Sequence, residues 1–153
     1  MHDLFQNLVS EFGQECGIPN LSPNADGELR LLFDRSISVS MMPTSNVDEL
    51  LIYSHVGHVA EQTSVGLLLR LLDASLFGQS TNGAVFAIDE LTEQITLQRI
   101  EQIQGMTYQD FESLIEEFVN AVEYWSQQIQ DSDGFHSDTR VGTTLCTSAL
   151  TAK

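Results

Sequence analysis

Ser64-Val-Gly-Leu-Leu-Leu-Arg-Leu-Leu-Asp-Ala-Ser-Leu-Phe-Gly78 is the stretch that decides how this chain must fold. Val65, Leu67, Leu68, Leu69, Leu71, Leu72, Leu76 and Phe77 leave it almost no polar face. Ser64 can cap its start and Gly78 can end it. A helix that is apolar all round must be buried all round. A chain of 153 residues has few places where its own elements could enclose such a helix. Burial against a symmetry mate is economical, because one patch then serves both subunits. The competing reading is a central core helix within a monomer.

Toward the N-terminus, Asp3 to Cys16 reads as a helix. Leu4, Phe5, Leu8, Val9 and Phe12 form one apolar stripe, Asp3 can cap it, and Gly17-Ile18-Pro19 stops it. Asn20 to Gly27 is a loop rich in Pro, Asn, Asp and Gly. Leu29, Leu31 and Phe33 then alternate along one strand and Ile37, Val39 and Met41 along the next, joined by Asp34-Arg35-Ser36. Glu49 to Val56 predicts a third strand. Leu32, Met42 and Tyr53 sit off the parity of the main stripe, so the second face of the sheet also carries apolar groups.

Toward the C-terminus, Ala84–Ile88 and Gln94–Ile100 predict a second antiparallel pair. Ile95 and Leu97 alternate there with Gln94, Thr96 and Gln98. Thr107 to Ile129 is the clearest helix, with Phe111, Ile115, Phe118, Val122, Trp125 and Ile129 on one face. Thr107 and Asp110 suit a capping box. From Gln130 the pattern dissolves. The expected organisation is one domain over residues 1–130, with a polar, flexible tail over 131–153. The order α-β-β-β-α-β-β-α predicts an α+β sandwich in which an antiparallel sheet packs against helices.

Charge narrows the function. Six basic residues face 22 acidic ones, a net charge of −16. Nucleic acid and anionic membrane both select for Lys and Arg, so neither is an expected partner. No apolar run reaches the roughly 20 residues of a membrane span, and the start lacks the basic region of a signal peptide. The expected location is cytoplasmic. Cys16 reads as a small core hydrophobe and Cys146 as a thiol in a Ser/Thr-rich tail, with no disulfide framework between them.

Catalytic motifs are missing. Gly78-Gln79-Ser80-Thr81-Asn82-Gly83 lacks the Lys-Ser/Thr of a phosphate loop, and no Gly-x-Ser-x-Gly elbow occurs. His55-Val56-Gly57-His58, with Glu61 nearby, offers only two imidazoles where a zinc site needs three or four ligands. Gly57 there argues for a turn. The expectation is therefore no enzyme, no metal and no cofactor. A metal-dependent enzyme using His55 and His58 is the weakest of the alternatives.

Several pieces together resemble the class I type III secretion chaperones, the Tir-chaperone family. They are the opening Leu-Phe-x-x-Leu-Val-x-x-Phe-Gly helix ending in Gly-Ile-Pro, the Leu-x-Leu-x-Phe-Asp strand and its mate, and Leu-Leu-Ile-Tyr. To these are added the Leu68–Gly78 segment, Gly83-Ala84-Val85-Phe86-Ala87, and the closing helix with Phe118 and Trp125. The likeness spans about Leu4 to Ile129. It implies a bacterial homodimer built on the central helix, with Leu68, Leu69, Leu72, Leu76 and Phe77 at the interface. It implies a client, the disordered N-terminal segment of one or more secreted effectors, kept partly unfolded and delivered for export without ATP. The export ATPase is a further candidate partner. Off-parity Leu32, Met42, Leu51 and Tyr53 are the expected effector-binding residues, with Phe5 and Val9 on the first helix. A regulatory or sensory domain of similar, YbjN-like fold that binds a folded partner is the alternative.

Overall fold

The computed structural model describes residues 2–46, 48–60, 63–132 and 151–152. Helix α1 (His2–Glu15) starts one residue before the expected Asp3. It ends in a Schellman motif: Ile18 N–H donates to the Gly13 carbonyl at 2.7 Å and Gly17 N–H to that of Gln14 at 3.2 Å. Gly17 takes the left-handed position, φ 71°, that this motif needs.

Strands β1 (Leu29–Phe33) and β2 (Ile37–Pro43) form the expected hairpin. Asp34 and Arg35 both adopt positive φ, 48° and 60°, and Ser36 N–H closes the turn onto the Phe33 carbonyl at 3.0 Å. Strand β3 (Glu49–His58) is longer than expected. Strands β4 (Val85–Asp89) and β5 (Gln94–Gln102) follow helix α2 (Val65–Ser75) and a short 3-10 turn, Leu76–Gly78. Helix α3 (Tyr108–Ser132) runs past Ile129, beyond the point where the apolar pattern stops. Strand β6 (Thr151–Ala152) completes a six-stranded antiparallel sheet in the order β4-β5-β3-β2-β1-β6. The rest of the expected tail, Cys146 included, lies outside the described residues.

One face of the sheet is the core. Leu29, Leu31, Phe33, Val39, Met41, Leu50, Ile52, Val56, Ile95 and Leu97 are all buried there. They meet Phe5, Leu8, Val9 and Phe12 of α1 and the Phe111–Ile129 stripe of α3. Phe12 sits edge-on to Phe111, with ring centroids 6.0 Å apart. The α+β class and element order are as expected, with β6 added.

The turn expected at His55-Val56-Gly57-His58 is instead strand. Its register against β5 shifts between His55 and Gly57, where a β-bulge accommodates an extra residue. Gly57 is there for packing: a Cβ would lie 2.8 Å from Ile129 Cγ2. Helix α3 thus crosses β3 at a point that admits no side chain.

The capping box of α3 is formed. Thr107 Oγ1 accepts from Asp110 N–H at 3.2 Å, and Asp110 Oδ2 accepts from Thr107 N–H at 2.9 Å. Thr107→Ala removes the first bond and should cost about 1 kcal/mol. Urea unfolding checks this; an unchanged midpoint would show that the box adds nothing to α3.

Candidate functional site

Among the described residues two apolar surfaces lie outside the core. The first is on α2. Ser64 Oγ caps the helix by accepting from Leu67 N–H at 3.1 Å. Leu67, Leu71 and Ala74 point inward and are buried. Val65, Leu69, Leu72 and Leu76 recur at four- and three-residue spacings on the opposite side. Leu69 and Leu72 are 60% and 65% exposed, so one subunit does not enclose this helix. Phe77, in the turn that follows, is 86% exposed and holds φ 58°. Of the five residues expected at an interface, Leu69, Leu72, Leu76 and Phe77 are exposed and Leu68 is half-buried.

The second surface is the outer face of the sheet, which none of the helices among the described residues covers. Residues directly opposite each other on antiparallel strands project to the same face. Leu51 is flanked by Met42 on β2 and Ile100 on β5, which gives an apolar row across three strands. A polar row runs beside it. Tyr53 lies between Gln98 and Ser40, and Ser40 lies opposite Arg30. Leu32, paired with Ser38, belongs to the same face. The four off-parity residues, Leu32, Met42, Leu51 and Tyr53, therefore share one surface, and all are half-buried.

The polar row is internally bonded. Tyr53 Oη donates to Glu28 Oε1 at 2.7 Å, and Arg30 reaches the same oxygen at 3.2 Å. Arg30 Nε also donates to Ser40 Oγ at 3.2 Å. The Tyr53 hydrogen bond, reinforced by Arg30, holds the Glu28 carboxyl below its usual range, while burial pushes the Tyr53 phenol up. This network fixes the Tyr53 ring as one wall of a shallow groove of about 360 Å³. Leu51, His55, Ala87, Ile88, Asp89, Thr96 and Gln98 line the remainder. The groove suits an extended chain: an apolar floor flanked by amide, hydroxyl and imidazole groups.

Phe5 and Val9 are corrected as surface candidates. They are 1% and 0% exposed, because the single apolar stripe of α1 is spent on the core against α3 and the sheet. Sequence reasoning put Gln98 on the exposed side of its strand but missed Ile100 and Ala87 as parts of the outer face. The signal was available for Ile100, which is out of phase with inward Ile95 and Leu97. His55 Nδ1 lies 3.0 Å from Thr96 Oγ1, and His58 is exposed at the end of β3. Among the described residues no group of three or more His, Cys, Asp or Glu side chains could hold a metal ion; Glu61 lies outside them. Among the same residues no helix is long and apolar enough to cross a membrane.

Comparison with known proteins agrees with this geometry. The chain is similar to the transcriptional anti-antiactivator ExsC of Pseudomonas aeruginosa, 25% identical over 127 residues, covering 82% of this chain and 86% of that one. In structure it resembles a chain of the ExsC-ExsE complex, with a TM-score of 0.69 and 23% identity over 84% of this chain and 96% of that one. It also resembles a chain of the HopA1-SchA chaperone-effector complex, with a TM-score of 0.65 and 12% identity over 85% and 95% of the two chains. The Yersinia pestis type III secretion chaperone SycH complex with a fragment of YscM2 gives 0.63 and 21%, over 79% and 98%. The family model of the Tir chaperone proteins matches residues 7–126, most of the described fold, and the chain belongs to the Tir chaperone protein (CesT) family.

Proposed function

We propose that this protein is a cytoplasmic, non-catalytic chaperone of a type III secretion system. It works as a homodimer joined through α2 and holds the N-terminal segment of a secreted effector, without ATP, extended along the outer sheet face. The observation that supports this reading is the apolar row Met42-Leu51-Ile100, which no helix among the described residues covers, beside the groove walled by Tyr53. An extended segment can place alternate side chains on such a face. A disordered client loses entropy on ordering, so the contact must be broad, on the order of 1,000–3,000 Å². The surplus of carboxylates disfavours acidic clients and leaves apolar or basic ones.

Co-expression with the first hundred or so residues of a secreted protein encoded beside it tests the proposal. Light scattering should give a dimer that gains client chain. In the double variant M42D/L51D both substituted side chains point away from the core, so the fold should persist. Client affinity should drop roughly a hundredfold or more, because buried central contacts dominate such interfaces. Undiminished capture by M42D/L51D would remove the outer face as the site.

A regulatory role through the same binding chemistry is the second reading, motivated by the likeness to an anti-antiactivator. It expects a second, regulatory protein that competes with the client for the same dimer. Competition between the two in a pull-down with purified components would distinguish it from a chaperone dedicated to export.

A further inference from the structure

The groove walled by Tyr53 has a direction and an electrical polarity, and the strand registers give both. On β3, Leu51 stands opposite Ile100, Tyr53 opposite Gln98 and His55 opposite Thr96. On the other side of β5, Ala87 stands opposite Thr96 and Asp89 opposite Gln94. The lining therefore runs from the Ile100 level at Leu51 to the Gln94 level at Asp89, crossing from β3 over β5 to β4. Ile100 and Gln94 are six residues apart along β5, roughly 20 Å of extended chain. One end is apolar, because Leu51 is flanked there by Met42 and Ile100. The other end holds a carboxylate, and no Lys or Arg lines the groove.

The Asp89 carboxylate is fixed in place. Its Oδ2 accepts from Thr92 Oγ1 at 2.8 Å and its Oδ1 from Leu91 N–H at 2.9 Å. These bonds, that of the Thr92 hydroxyl first, hold the carboxyl below its usual range. A carboxylate oxygen has about two lone-pair sites, so each of the two retains one for a further donor. Ala87, two residues earlier on the same face of β4, carries only a methyl group and leaves the approach from the groove open.

We propose that the groove selects its occupant by sequence: it takes an extended segment with an apolar side chain over Leu51 and Ile100 and, six residues away, an arginine whose guanidinium pairs with the Asp89 carboxylate. Side chains of an extended segment alternate between two faces, so only an even separation turns both toward the sheet. Six matches the distance between the two levels, and the long arginine side chain takes up the sideways step to β4. Arginine suits the site better than lysine, because its planar fork meets both carboxylate oxygens at once. A chain with a net charge of −16 draws such a cation in and repels an acidic rival.

The proposal rests on the client-binding reading for its occupant, and the test separates the two. Labelled ten-residue peptides carry one Leu and one Arg in a Ser/Thr/Gly background, five, six or seven residues apart and in either order. They are titrated into the full chain and followed by fluorescence anisotropy. In one order, the separation of six should bind at least threefold more tightly than five or seven. Replacing its Arg by citrulline, a neutral isostere, should weaken binding roughly three- to tenfold, and should change nothing in Asp89→Asn. Asp89→Asn keeps an oxygen for Leu91 N–H, so the hairpin should hold, and the citrulline comparison needs no variant of the protein. Equal binding at all separations, or an equal citrulline loss in both chains, would overturn the proposal. So would peptides that fail to bind while the N-terminal hundred residues of the neighbouring secreted protein do bind, and the function proposed above would then stand without this subsite. If the longer segment fails as well, both readings fall. Peptide selectivity with no binding of the longer segment would support the subsite and remove that protein as the client.

Discussion

The double variant L69E/L72E should be a folded monomer at concentrations where the natural chain forms the dimer proposed above. Both side chains are more than half exposed in the subunit, so far-UV circular dichroism should not change. Burying a leucine is worth about 1.5–3 kcal/mol. A twofold contact counts each position twice, and four carboxylates would then face one another. The dimer should weaken by roughly a thousandfold or more. Phe77 adds to the argument. A non-glycine residue in the left-handed region costs on the order of 1–3 kcal/mol, and strain of this kind gathers at functional sites. Within one subunit Phe77 gains little packing in return, because its ring is almost fully exposed. In the proposed dimer a partner surface would supply that return. Persistence of the dimer in L69E/L72E, by light scattering across a dilution series, would place the contact elsewhere.

The second large effect is expected from Phe111→Ala. Its ring is fully buried and edge-on to Phe12, so it joins α3 to α1. Truncating a buried Phe costs about 3–5 kcal/mol. Domains have only about 5–15 kcal/mol in all. At about 2–4 °C per kcal/mol for a chain of this size, the melting temperature should fall by roughly 6–20 °C. Exchange of α1 amides should accelerate first, since α1 loses its main anchor on α3. A loss under about 1 kcal/mol would mean that neighbouring side chains close the cavity without cost.

Much of this was legible in the order of residues. Strand parity placed Leu32, Met42 and Tyr53 away from the core, because a period of two admits only two faces. The Thr107–Asp110 box and the Gly17 stop are local signals, and the chain obeys both. Helices gave less. The stripe of α1 is continuous, and nothing in it tells whether Phe5 and Val9 meet the core or a client; burial decided for the core. In α2 both sides are leucine-rich, so periodicity could not say which side faces inward. Gly57 looked like a turn because its reason, Ile129, lies far along the chain. The pairing of β6 with β1 was not foreseen, because a two-residue strand match carries no periodic signal.

The sheet order has a consequence for how the molecule is made. Strand β3 pairs not with its successor β4 but with β5, joining Glu49 to Gln102. All of α2 and β4 lies inside the loop that this pairing closes. Closing so long a loop costs entropy before any contact repays it, which favours late formation on the folding path. Until β5 has left the ribosome, β4, beside which α2 packs, lacks the strand it pairs with. In the proposed dimer, two nascent chains would therefore not present finished apolar stripes to each other early. Assembly of the proposed dimer would then follow completion of the sheet, so chain topology would set the timing of pairing between subunits.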